Sequence, residues 1–188
     1  MTSAPEVPAR RPRRHDPGRR DRLVSVALDV IAEVGVTGAT HRAIARAADV
    51  PLGSMTYHFA SLDELHAAAF TRHVDEVAPR FDERMRAAAD ETEALEALVG
   101  HLGGDLLSSA RDFVLAVELY VAAARRPALR AVTQDWMQRS RRSLERHFDP
   151  VTARELDALV EGLVLHSALS TDPMDRDQIR AAIHRFAR

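Results

Sequence analysis

Several residue types and patterns are missing from this chain of 188 residues. It has no cysteine, which excludes disulfide bonds, thiolate metal sites and a thiol nucleophile. No stretch approaches the roughly 18 uninterrupted apolar residues of a membrane-spanning helix, and the N-terminus lacks the apolar segment of a signal peptide. We therefore expect a cytoplasmic protein without a membrane partner.

The sequence motifs of the common enzyme classes are also missing. A metal oxidase built on a helical bundle needs paired Glu-x-x-His motifs, and the chain contains none. It contains neither the His-Glu-x-x-His zinc motif nor a Gly-rich phosphate-binding loop. We expect no catalytic residues, no metal site and no cofactor, and a helical-bundle enzyme remains only as an alternative.

The charged residues are unevenly distributed along the chain. All 26 basic residues are arginine, and the net charge is −2. Residues 1–60 contain nine arginines against six acidic residues, whereas residues 61–188 contain 17 against 22. A basic first third on an acidic body indicates nucleic-acid binding by the first third.

The spacing of apolar residues predicts an all-α protein of about nine helices. Residues 1–15, rich in proline and arginine, are predicted to form a flexible basic arm. Asp16-Pro17 predicts the start of the first helix, which Gly35 would end in a left-handed conformation. In the body, Thr152 with Glu155 resembles a capping box, and Asp172-Pro173 predicts the start of the last helix.

Residues 39–65 predict a helix-turn-helix. Thr40 can cap a short helix, Asp49 stands where the chain must turn, and a second short helix precedes a capping box of Ser61 and Glu64. In such a unit the second short helix enters the major groove. Hydroxyl, imidazole and guanidinium groups can bind phosphates or base edges there. The predicted DNA-binding residues are Thr40, His41, Arg42, Leu52, Gly53, Ser54, Thr56, Tyr57 and His58.

Three motifs in this region, taken together, resemble the DNA-binding domain of the tetracycline-repressor (TetR) family. They are THRAIA at 40–45, GSMTYHF at 53–59 and SLDEL at 61–65, and the resemblance covers about residues 19–70. The chain departs from the family pattern at four positions where Gly, Ser, Tyr and Lys are usual. These positions are Asp49, Pro51, Thr56 and Leu62.

The resemblance implies a helix-turn-helix domain at 16–61 and an effector-binding and dimerisation domain at 62–188. It implies a homodimer formed through the last two helices, at about 152–169 and 173–187, on a near-palindromic operator. The function it implies is transcriptional repression that a small-molecule effector relieves. A regulator that answers to a protein partner remains open. The apolar residues assigned to the dimer interface are Leu156, Leu159, Leu163, Ile179 and Ile183.

Five residues of the body are candidates for effector binding. Glu118 interrupts the apolar run 113–124, and an ionised carboxylate there needs a partner. That partner is either the effector or an arginine at 125, 130 or 142. The other four candidates each have a core-packing role as the alternative: His101, Tyr120, Trp136 and His166.

Overall fold

A computed structural model describes residues 18–106 and 109–186, and these residues form nine α-helices and no strand, which confirms the all-α prediction. The predicted arm at 1–15 lies outside the described residues. A π-helical turn, Leu102–Leu106, follows the fifth helix. The helices are α1 Arg19–Gly38, α2 His41–Ala47, α3 Gly53–His58, α4 Leu62–Ala87, α5 Glu91–His101, α6 Ala110–Ala123, α7 Pro127–Leu144, α8 Pro150–Leu169 and α9 Arg176–Phe186.

The local signals of the helix-turn-helix form as predicted. The Thr40 hydroxyl accepts a hydrogen bond from the Ala43 N–H at 3.2 Å and caps α2. The Ser61 hydroxyl accepts one from the Glu64 N–H at 3.1 Å and caps α4. Asp49 has a φ of 52°, the left-handed turn expected between α2 and α3. Each of these features depends on neighbours in the sequence.

The predicted starts of α8 and α9 are wrong. Asp149 caps α8 by accepting from the Val151 N–H at 2.9 Å, so Thr152 lies inside the helix. Pro at the first position of α8 fits this earlier start because its missing N–H is not needed there. The last helix begins at Arg176, after a reciprocal pair in which the backbone N–H groups of Asp175 and Gln178 each donate to the other's side chain at 2.8 Å.

The apolar core has two parts. One part packs α1, α2 and α3 against α4, α6 and α7, with Ile31, Phe59 and Leu119 almost fully buried. The other packs the second half of α4 with α5, α8 and α9. Burial of apolar surface stabilises both parts by roughly 25 cal/mol per Å². The short helices α2 and α3 therefore share one core with the helices of the body.

The apolar stripe assigned to a dimer interface lies inside the chain. Leu156, Leu163, Ile179 and Ile183 are buried against α5 and one another, and Leu159 is partly buried there. The spacing of these residues identified a buried face correctly, but the partner is intramolecular. The large apolar side chains exposed on α8 are those of Val151, Leu165 and Leu169. Among the described residues no helix combines the length and apolar character needed to cross a membrane.

Candidate DNA-binding surface and effector cavity

The nine predicted DNA-binding residues lie on α2, α3 and the turns that precede these helices. Met55 turns inward and is fully buried, which directs its neighbours in α3 outward. Tyr57 is 83% exposed and Leu52 is 47% exposed, so both side chains are accessible to a partner. Arg42 is exposed at the start of α2 and forms no ion pair within the described residues.

The polar groups of this surface are oriented by local contacts. The Thr56 hydroxyl donates to the Gly53 carbonyl at 3.2 Å and retains its lone pairs for another donor. The rings of Tyr57 and His58 meet edge to face with their centroids 4.9 Å apart. Arg20 of α1 covers the ring of Phe59 at 5.0 Å and so fixes the end of α3 against α1. The outward side of α2 and α3 therefore presents hydroxyl, imidazole and guanidinium groups.

A cavity of about 80 Å³ lies in the body between α4, α5, α6, α7 and α8. It continues into a more open groove of about 310 Å³ between α6 and α8, beside Val117, Gly162 and Leu165. Pockets for drug-sized ligands measure roughly 300–1,000 Å³, a size that the cavity reaches only together with this groove.

The cavity presents parallel aromatic rings. Tyr120 and Trp136, two of the predicted effector-binding residues, stack with an interplanar angle of 3° and centroids 6.1 Å apart. His73 meets Trp136 edge to face, and burial lowers the pKa of His73, so that its imidazole is neutral at pH 7. His101, also predicted, lies against Phe81 at 4.7 Å in the cavity wall. Such walls suit a flat, conjugated ligand.

Two carboxyl groups of α8, Asp157 and Glu161, lie one helical turn apart and line the cavity. The Tyr120 hydroxyl donates a hydrogen bond to Glu161 at 2.8 Å. Burial and the neighbouring Asp157 raise the pKa of Glu161, although part of that side chain reaches solvent at the cavity's mouth. Burial likewise raises the pKa of Asp157. This pair was not among the residues predicted from the sequence. The available signal was the spacing of four residues, which places Asp157 and Glu161 on one face of a helix beside Val160.

The lining of the cavity carries more negative than positive charge. A third carboxyl group, that of Asp112, also lines it, and one arginine, Arg80, stands against the three. The carboxyl pair on α8 has raised pKa values because partial burial disfavours the ionised forms. A positively charged ligand would relieve this cost, whereas an anion would increase it.

The other two predicted effector-binding residues lie away from the cavity. His166 is exposed near the end of α8. Glu118 is on the side of α6 that faces α1, where its carboxylate accepts a hydrogen bond from the Val36 N–H at 2.7 Å. Neither alternative given for Glu118, an effector contact or an ion pair with an arginine, describes this arrangement. Periodicity showed that the carboxylate needed a partner, but the partner is a backbone amide of another helix.

A buried histidine joins the DNA-binding helices to the body. His66 of α4 is fully buried; its Nε2–H donates to the Ala39 carbonyl at 2.8 Å, and its Nδ1 accepts from Arg126 at 3.1 Å. Arg126, between α6 and α7, also contacts Asp63 at 3.3 Å. This geometry requires a neutral imidazole. Burial, reinforced by the charge of Arg126, lowers the pKa of His66 from its ordinary value of 6.5.

We expect the lowered pKa of His66 to make the protein less stable in mild acid. Below about pH 6.5 this imidazole is protonated in the unfolded chain but not in the folded chain. The free energy of unfolding therefore decreases as the pH is lowered, until the pH reaches the lowered pKa of the folded state. Chemical denaturation at pH 5.5 and 7.5 should show a smaller pH dependence for His66→Gln than for wild type. An equal pH dependence of the free energy of unfolding in the two proteins would contradict this role of His66. His73 is present in both proteins, so its contribution cancels in the comparison.

Two family models match this chain. The model of bacterial regulatory proteins of the tetR family matches residues 23–69, which span α1 to the start of α4. The model described as the tetracyclin repressor-like C-terminal domain matches residues 86–188. Together they cover both the helix-turn-helix and most of the helical body.

Two proteins of known structure resemble the chain over nearly its whole length. A transcriptional regulator of Streptomyces coelicolor A3(2), SCO7518, is 50% identical with a TM-score of 0.86, over 91% of this chain and 99% of that one. The multidrug binding protein EbrR, solved with imidazole, is 40% identical with a TM-score of 0.82, over 94% of each chain. EbrR has also been solved with ethidium, proflavin and malachite green.

A curated relative points to the same activity. The HTH-type transcriptional regulator BetI of Klebsiella pneumoniae (strain 342) is 27% identical over 182 residues, 92% of this chain and 93% of BetI. The exposed helix-turn-helix, its fusion to a helical body with an internal cavity, and the two family matches lead to one assignment. This chain belongs to the tetR family of bacterial regulatory proteins and is a helix-turn-helix DNA-binding transcriptional regulator.

Proposed function

We propose that the protein is a homodimeric repressor that leaves its operator when a flat organic cation occupies the cavity of the body. The observation that carries this proposal is the pairing of stacked Tyr120 and Trp136 with the carboxyl groups of Asp157 and Glu161 in one cavity. EbrR, which binds the aromatic cations ethidium, proflavin and malachite green, supports the same ligand class.

The proposed DNA contacts are those of α2 and α3. Thr40 and Arg42 lie at the N-terminus of α2, where backbone amides and the helix dipole favour a phosphate. Tyr57 and Thr56 project from α3 toward the major groove. Two copies of this unit in a dimer would read a near-palindromic operator with half-sites about 34–36 Å apart, or a multiple of that distance.

The proposed dimer uses the outer faces of the last two helices. Leu169 is 67% exposed near the end of α8, clear of the groove that Gly162 and Leu165 border. On α9, Ala181 is a small residue that is also exposed. These residues, rather than the buried stripe, are available to a second copy, and burying them removes apolar surface from water.

The experiment that tests this function measures operator binding and its reversal together. An operator fragment is selected from a random DNA pool, and its binding is followed by fluorescence anisotropy while the mass of the complex gives the stoichiometry. Malachite green should weaken operator binding at least fivefold, in the usual range of allosteric coupling. Its neutral reduced form, leucomalachite green, should have little effect. Operator binding that is equal in the presence and absence of malachite green would overturn the proposal.

Replacing Arg42 with Ala is expected to weaken operator binding by about 1–3 kcal/mol and to relax sequence preference at one position of each half-site. The guanidinium is exposed, forms no ion pair within the described residues and stands at the start of α2. Binding is measured on a set of single-base operator variants across a salt series. Arg176→Ala, which removes an exposed arginine at the start of α9, is the matched control. An unchanged base preference with a shallower salt dependence would instead make Arg42 a phosphate contact.

A further inference from the structure

The connection between α1 and α2, residues 35–39, sets the direction in which the helix-turn-helix leaves the first helix. Gly35 interrupts α1 with φ 73° and ψ 168°, a conformation essentially restricted to glycine. The last residue of the connection, Ala39, is fully buried and directly precedes the Thr40 cap of α2. A small change of backbone direction in these five residues would therefore reorient α2 and α3 together.

Two side chains from outside this connection hold its two ends. At the first end, Glu118 of α6 accepts from the Val36 N–H at 2.7 Å, and one of its oxygens lies 3.0 Å from the position of a Cβ on Gly35. At the other end, the Nε2–H of His66 donates to the Ala39 carbonyl at 2.8 Å. Because Val36 is only 4% exposed, its N–H would lack a partner if Glu118 moved away.

Both ends lead back to α6. Glu118 belongs to that helix, and His66 accepts a hydrogen bond from Arg126, which follows its C-terminal end. The opposite side of α6 carries Tyr120 and Phe113 in the cavity wall. A helix behaves as a nearly rigid rod, so a displacement at the cavity is transmitted to the Glu118 carboxylate. A hydrogen bond of 2.7 Å weakens steeply when its partners separate or turn.

A carboxylate at position 118 costs more free energy to bury than a purely structural role requires. Its carboxylate is half-buried, and the polar partner that the structure gives it within the described residues is the backbone amide of Val36. A neutral side chain could pack at this position of the apolar run 113–124 at lower desolvation cost. Arg111 and Asp29 already tie α6 to α1 at 2.6 Å on the surface, so the two helices do not depend on Glu118 alone.

We propose that Glu118 is the positioning residue through which α6 sets the orientation of the helix-turn-helix. The hydrogen bond to Val36 stabilises the orientation that binds the operator, and ligand-driven displacement of α6 breaks it. The second part of this inference rests on the proposed function, whereas the first concerns the protein without ligand. The two parts are therefore tested separately.

The test compares Glu118→Ala, Glu118→Gln and the surface control Asp29→Asn. Without ligand, Glu118→Ala is expected to bind the operator about tenfold more weakly, within the range of typical coupling. Its malachite green affinity should equal or exceed that of wild type, because the ligand no longer has to break the hydrogen bond to Val36. Glu118→Gln keeps an oxygen that accepts from the Val36 N–H, so it should restore most of the operator affinity. Asp29→Asn should resemble wild type, since it removes only the exposed pair with Arg111.

The ligand response is measured with the same proteins. Malachite green should change the operator affinity of Glu118→Ala by less than about twofold, against at least fivefold for wild type. Operator affinity and ligand response that both equal wild type in Glu118→Ala would overturn the inference and leave the proposed function intact. A wild-type protein that ignores malachite green would overturn the proposed function, and the operator affinity of ligand-free Glu118→Ala still decides the first part. Failure of Glu118→Gln to restore affinity would also count against the hydrogen bond to Val36.

Discussion

A chain with both Asp157→Asn and Glu161→Gln should bind malachite green roughly ten- to a hundredfold more weakly than wild type. Malachite green has no hydrogen-bond donor, so its contact with the two carboxylates that line the proposed site is purely one of opposite charges. At about 4 Å such a pair contributes roughly 1 kcal/mol in water and up to about 4 kcal/mol near a protein surface. Leucomalachite green binding should change little, because it has no charge to pair. Titration by absorbance and fluorescence measures both affinities, and equal loss for the two ligands would contradict recognition by charge.

The same pair of substitutions should not destabilise the protein. The raised pKa values mean that the folded chain holds the protons of Asp157 and Glu161 more tightly than the unfolded chain does, so the free energy of unfolding decreases as pH rises through those raised values. At pH 7.5 the neutral variant is therefore expected to melt at the wild-type temperature or above it. A large drop in melting temperature would mean that the lost affinity reflects misfolding.

Ligand binding should also depend on pH in wild type and much less in the double variant. The ligand for this test is ethidium, whose quaternary nitrogen keeps its charge at every pH used, so that only protonation of the two carboxyl groups changes. Because their pKa values are raised, the affinity should begin to fall at a higher pH than it would for ordinary carboxyl groups. Affinities measured between pH 7.5 and 5 test this, and wild-type affinity that stays constant across the range would contradict the role of the pair.

Replacing Gly35 with Ala is expected to destabilise the protein by about 1–3 kcal/mol and to abolish tight operator binding. The backbone at this position, φ 73° and ψ 168°, is strained for any residue with a Cβ. The new Cβ would also lie 3.0 and 3.1 Å from the Glu118 carboxylate oxygens, so that the carboxylate has to shift by a few tenths of an ångström from its position beside the Val36 N–H. In thermal unfolding each kcal/mol corresponds to about 2–4 °C for a chain of this size.

Gly53→Ala is the matched control for this stability measurement. Gly53 lies in α3, and a Cβ there would meet nothing within 4 Å. Its melting temperature should equal or slightly exceed that of wild type, because alanine favours a helix over glycine. If Gly35→Ala melted like Gly53→Ala and bound the operator normally, the conformation at residue 35 would have no role in positioning the helix-turn-helix.

The features that sequence reasoning identified correctly are local ones. The Thr40 and Ser61 caps, the left-handed Asp49 and the break at Gly35 depend on a few neighbouring residues and on steric rules. Where two local signals competed, the predicted helix start was wrong. The helix α8 starts at Asp149-Pro150 instead of at Thr152, and α9 starts after Asp175 instead of at Asp172-Pro173. Both true starts are also local signals, but nothing in their spacing ranks them above their competitors.

The candidate sites divide in the same way. The helix-turn-helix residues could be identified because a short stretch of sequence, 39–65, contains nearly the whole surface. The cavity could not, since its walls come from α4, α5, α6, α7 and α8, and two of its three carboxyl groups, Asp157 and Glu161, lie in the last third of the chain. Tyr120 and Trp136 were identified as candidates by residue type alone, and their parallel stacking is a result of packing.

By itself the sequence determined the helical class, the position of the DNA-binding unit and the resemblance to the family, because hydrophobic periodicity, caps and turn residues act over at most a few turns of chain. Only the tertiary structure decided which buried polar groups meet. Glu118 needed a partner from the start, but whether that partner was a ligand, an arginine or the amide of Val36 depends on how α6 packs against α1. The same packing turned the apolar residues of α8 and α9 inward, because a hydrophobic stripe specifies burial and not the molecule that buries it.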